Sequence, residues 1–128
     1  MNNTELLKGS RNLLIGLHKS LVDFERSVYE GIYGPTTGGQ FLNILLENKD
    51  FAWLRKFSTL IVDIDEMFAQ KDGFQPEAVD THLAKIRELV EMQGGDESFA
   101  AKYQAALQQD PDAAGKQGEL KALLASSG

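Results

Sequence analysis

Five polar side chains stand at the edge of the apolar pattern, where chemistry would have to be done. His18, Val22, Glu25 and Tyr29 follow one another at spacings of four, three and four, so on a helix they stack along one side, at the border of its apolar stripe. Ser58 and Asp65 lie four residues after Leu54 and Ile61 and so share the apolar line of a second helix. If two such helices pair, an imidazole, two carboxylates, a phenol and a hydroxyl face one another, a set that could hold a small polar ligand or a cation. Each residue also has a plainer reading. An ionised Asp65 at a core edge costs several kcal/mol if left alone, so it needs a partner: an Arg, a His or water. A His near a core is more often a hydrogen-bonded structural residue than a ligand.

Established catalytic patterns do not complete themselves. The chain has no Cys and two His, which rules out thiolate zinc sites, iron–sulfur clusters and Cys nucleophiles. Neither His has a Glu three residues before it, as paired di-iron helices require. Asp63, Asp65 and Glu66 lack the glycine and terminal Glu of a calcium loop, and the Gly38-Gly39 turn lacks the Lys-Ser/Thr ending of a phosphate loop. Ser58 has no nucleophile elbow around it. No catalytic residue, metal ligand or cofactor is therefore assigned. Arg11 to His18 resembles the Arg-to-His spacing of HEPN-type ribonucleases, small helical enzymes whose Arg and His stand at a dimer cleft. An acidic chain is poorly suited to RNA.

The elements that would position these residues are helical. Phe51 to Gln70 carries Trp53, Phe57, Leu60, Ile64 and Met67 at spacings of four and three, with Leu54, Ile61 and Phe68 beside them. So wide an apolar face needs at least two neighbours. Asp50 is its expected cap. Glu5 to Tyr33 repeats Leu14, Leu17, Leu21, Phe24 and Val28 in the same way, with Gly9 and Gly16 as weak spots of about 1 kcal/mol each relative to Ala and Thr4 or Ser10 as caps. Gly31 to Gln40 breaks the chain, and Thr37 with Gln40 forms a capping box before a short helix over residues 41–46. Glu77 to Gln93 is amphipathic, with Pro76 at its first turn and His82 on the core's edge. Beyond Gly94-Gly95-Asp96 the apolar residues thin to Phe99, Tyr103, Leu107, Leu120, Leu123 and Leu124, so the last segment is expected to be loosely held.

The reading is therefore all-α: an antiparallel four-helix-type bundle over residues 1–95, with a short extra helix, and a weaker helical appendage over 96–128 of the same domain. At 128 residues, with 42% apolar and 25% charged residues, one domain can bury a real core. The net charge of −6 with scattered bases argues against nucleic acid, and no run approaches the roughly 20 apolar residues of a membrane span. The expected setting is the cytoplasm. The expected role is a non-enzymatic interaction or accessory module that meets a protein partner or itself, with a small-ligand or metal site at His18, Glu25, Tyr29, Ser58 and Asp65 as the alternative and a ribonuclease as the second. Leu17-His18-Lys19, Glu25-Arg26, Tyr29-Glu30, Phe51 to Arg55, Ser58, Leu60 to Val62 and Ile64 to Glu66 together resemble a group of small all-helical proteobacterial proteins. That group brings no assigned activity, so the resemblance implies the fold and a bacterial source and leaves the role open.

Overall fold

A computed structural model describes residues 2–126, and among these the chain is all-α. Its helices are α1 (Asn3–Tyr33), α2 (Gly38–Glu47), α3 (Arg55–Phe68), α4 (Pro76–Val90), α5 (Glu97–Gln109) and α6 (Pro111–Ala125), with a 3-10 segment, Lys49–Leu54, between α2 and α3.

Local chemistry sets the boundaries, in places differently from the pattern. Asn2, rather than Thr4 or Ser10, caps α1 by accepting from the Glu5 amide at 2.8 Å. The helix runs unbroken through Gly9 and Gly16 to Gly34, whose φ of 97° ends it before Pro35. Thr37 and Gln40 close the capping box of α2 in both directions, at 2.9 and 3.1 Å. The central element opens as a 3-10 turn capped by Asn48, not Asp50, and becomes α-helical only at Arg55. At three residues per turn Phe51 and Leu54 eclipse, and these two and Trp53 are buried together.

Helix α1 is the spine. At 31 residues it is about 46 Å long, roughly twice the length of α3. Helix α3 runs antiparallel to it, since Arg11 meets Asp65 and His18 meets Phe57. Helix α6 runs antiparallel along another side of α1. There Gly9 faces Leu123, Gly16 faces Lys116 and Ser20 bonds Asp112. Helix α4 closes the bundle between α1, α3 and α6. The aromatic rings of Trp53, Phe57, Phe99 and Tyr103 pack with centroids 5.2 to 6.1 Å apart, fastening α5 to the start of α3. Burial there pushes the Tyr103 phenol well above its usual range.

The C-terminal segment is thus built into the core. Phe99, Tyr103, Ala106, Ala113, Leu120 and Leu124 are all buried. Residues 127–128 of the expected appendage lie outside the described part. Coverage of α1 fails instead at its other end: its last buried residue is Leu21, and Val28, which the pattern put inside, is exposed.

Candidate functional site

The five border residues separate along the bundle. Among the described residues no hydrogen bond or ion pair joins any two of them. Asp65 takes the plainer of its readings: Arg11 grips it with two guanidinium nitrogens, Nε to Oδ1 and Nη2 to Oδ2, the latter at 3.1 Å. This bond raises the already high pKa of Arg11. The pair is a third to nearly half exposed, a rim clamp between α1 and α3 worth on the order of 1 kcal/mol. Ser58 turns back to its own helix and donates to the Arg55 carbonyl at 3.2 Å.

His18 packs its ring 6.3 Å from that of Phe57. No protein group among the described residues bonds it, against the expectation of a hydrogen-bonded structural His. Burial pulls its pKa below the usual imidazole value, so the ring is neutral at neutral pH. Arg11 and His18 therefore share a side of α1, one clamped by a carboxylate and the other set against a ring. His82 does take a structural bond, its Nδ1 donating to the Ala78 carbonyl at 2.7 Å.

Glu25 borders a cleft of about 260 Å³ with Phe24, Asp50, Trp53, Lys102 and Gln109. Burial pushes its carboxyl up, Lys102 opposes that, and the like charge of Asp50 adds to it. Tyr29 serves packing. It sits 4.7 Å from Tyr33 and about 6 Å from both Phe41 and Phe51, and this cluster holds α2 to the bundle.

Compared with family models, curated proteins and solved structures, the chain matches none. What its surface can do must be read from its own side chains.

Two features stand out. The first is the end of the molecule where α1 outruns its neighbours. Ile32 and Tyr33 are 69% and 71% exposed, and Leu42 and Leu46 of α2 are 54% and 57% exposed. Helix α2 is strongly apolar, yet Phe41 is its single buried residue. From Gly31 through Leu46 the chain has no charged side chain. Glu30 closes this end by accepting from the Thr36 amide and hydroxyl, each at 2.6 Å, and those bonds hold its carboxyl below the usual range.

The second is a groove of about 400 Å³ between α3, the end of α4 and the start of α5. Leu60, Leu89, Met92 and Phe99 supply its apolar surface, and Arg55, Lys56, Lys85, Asp63, Glu88 and Asp96 its charges. Lys56 lies 3.1 Å from Asp96 and 4.6 Å above the Phe99 ring, while Asp96 caps α5 through the Phe99 amide at 3.0 Å. That amide first, and Lys56 next, keep Asp96 below the usual carboxylate range. Arg55 and Thr59 are exposed on one side of α3, with Asp63 half-buried in line with them. Lys85 and Glu88, three apart near the end of α4, are exposed as well, so the polar sides of α3 and α4 flank one trough.

Met92 is the strained point of the groove. The Gln93 amide bonds the Glu88 carbonyl at 3.0 Å and the Met92 amide the Leu89 carbonyl at 3.2 Å, a Schellman closure whose left-handed position is usually Gly. Here Met92 holds it at φ 58°, at a cost of about 1–2 kcal/mol. This closure also stops α4 at Val90 instead of Gln93.

Proposed function

We propose that the protein is a non-enzymatic interaction module that pairs with a second copy of itself through the exposed end of α1 and the outer side of α2. The observation that carries this is the contrast at α2: an apolar helix with one buried residue, displayed in a stretch without charge. A chain of net charge −6 repels its own copy over distance, so self-association favours a surface free of like charges. Leu42 and Leu46, four apart, share one side of α2, and a self-complementary apolar patch fits a two-fold pairing. The resemblance to small helical bacterial proteins without assigned activity is compatible with an accessory role in the cytoplasm. Among the described residues no helix is long and apolar enough to cross a membrane.

The test is sedimentation equilibrium over a wide range of protein concentration. The wild-type chain should dimerise, and the double variant Leu42→Glu, Leu46→Glu should stay monomeric with unchanged helical circular dichroism. A wild-type monomer at every concentration, or a double variant that dimerises equally well, rejects the proposal.

A further inference from the structure

The groove between α3, α4 and α5 adjoins the apolar end through the bond from Arg55 to the Leu46 carbonyl, but its chemistry differs. Its lining carries three bases and three acids, a local balance within an acidic chain. Lys56 and Asp96 neutralise each other. Among the described residues Lys85, Asp63 and Glu88 make no ion pair, and the guanidinium of Arg55 spends its hydrogen bond on the Leu46 carbonyl, a neutral acceptor. The Glu88 carboxylate lies over Gly94, where an added Cβ would sit 3.3 Å from its Oε1. Largely exposed charges of both signs, none of them in an ion pair among the described residues, thus stand beside an apolar floor.

This combination selects among ligands. A simple anion would meet Asp63 and Glu88, and a simple cation would meet Arg55 and Lys85. A wholly apolar molecule would desolvate these charges without pairing them, which is costly. A zwitterion with apolar side groups answers all of these demands, and the cavity falls within the size range of small-molecule sites. No group of three or more His or carboxylate residues able to hold a metal occurs among the described residues. Met92 supports the same conclusion independently. Glycine would relax the left-handed turn, whereas methionine brings a flexible thioether to the floor, a side chain that adapts to varied apolar shapes. Strain held at a cavity wall points toward a ligand.

We infer that this groove binds a small zwitterion bearing apolar side groups, of the class of short hydrophobic peptides with free ends. Its ammonium group meets Glu88 or Asp63, its carboxylate meets Lys85 or Arg55, and its side groups lie on Leu60, Leu89, Met92 and Phe99.

The test is a titration of full-length protein carrying ¹³C-methyl methionine with the dipeptide leucyl-phenylalanine. Met67, buried away from the groove lining, is the internal reference. The Met92 methyl should shift saturably while that of Met67 stays still. The N-acetylated and C-amidated dipeptides, each lacking one charge, should bind about tenfold more weakly, the loss of one charge-assisted contact. Lys85→Gln and Glu88→Gln should each weaken the free dipeptide comparably, and Met92→Gly should weaken it without lowering the melting temperature. No saturable shift at millimolar dipeptide overturns the inference. So does equal binding of the capped forms, which would reduce the groove to an apolar surface, or undiminished binding by Met92→Gly.

Discussion

Helices α2 and α6 reverse the order that apolar content suggests. Helix α2 is dense in Phe, Leu and Ile and buries only Phe41, whereas α6 shows a weak stripe and buries Ala113, Leu120 and Leu124. The difference lies in what each helix meets. Helix α6 lies along Gly9, Gly16 and Ser20 of α1, small residues that let the two backbones approach, so that short side chains suffice to exclude water. Ser20, Asp112 and Lys116 tie the start of that contact, with the hydroxyl donating to Asp112 at 2.5 Å and accepting from Lys116 at 2.8 Å. Helix α2 meets chiefly the 3-10 segment and the Tyr29 cluster, with Ile44 and Leu45 half-buried against the core and Arg55 of α3 bonding its Leu46 carbonyl. Burial here follows from how closely a neighbour can come rather than from the number of apolar atoms offered.

Cavity-forming substitutions should break the symmetry most sharply. Leu120→Ala in α6 should cost about 2–5 kcal/mol, as for a fully buried leucine, while Leu46→Ser in α2 should change monomer stability by less than about 0.5 kcal/mol. Urea unfolding at low protein concentration checks both, and similar costs for the two would erase the distinction. A smaller effect separates the two glycines of α1. A Cβ at Gly16 meets nothing nearer than Lys116 Cδ at 3.8 Å, whereas at Gly9 it comes within 3.2 Å of Leu123 Cδ2. Gly16→Ala should therefore stabilise by about 0.5–1 kcal/mol, and Gly9→Ala should gain less, because Leu123 must give way. Equal gains would mean that α6 does not press on α1.

The smallest effect is electrostatic. The Ser20 hydroxyl first, and Lys116 next, hold the Asp112 carboxyl below its usual range. A carboxyl depressed on folding adds stability above its unfolded value, and that contribution disappears as pH falls through the folded value. The difference in urea midpoint between wild type and Asp112→Asn should thus be present near neutral pH and vanish in strong acid. A difference that persists unchanged in acid would show that Asp112 acts through packing.

The all-α class, the capping box at Thr37, Pro76 at the start of α4 and the need of Asp65 for a partner were legible in the sequence, because each rests on spacing or on a charge that needs compensation; that the partner is Arg11 rather than a His or water was not. The assembled five-residue site was not there to be read. Helical spacing places His18, Glu25 and Tyr29 on one side of α1, but α1 is longer than α3, so Tyr29 reaches past α3 to Phe41 and Phe51 and Glu25 to Lys102. Gly9 and Gly16 were legible as weak helix positions and not as docking positions, since a missing side chain reads as lost propensity until the neighbour is known. The sparse apolar content of residues 96–128 misled for the same reason. Arg55 and Thr59 are exposed, as their spacing on α3 implies, but spacing within one helix does not show that Lys85 and Glu88 of α4 face them across a groove.

Native-state hydrogen exchange tests the contrast between α2 and α6 most directly. Amides of residues 115–124 should exchange almost as slowly as the core of α1. Those of residues 42–47 should exchange far faster in dilute protein and slow down as concentration rises and a second copy covers them. Rapid exchange throughout α6, together with concentration-independent protection of α2, would contradict the account: α6 would then be the loose appendage and α2 a settled part of the core.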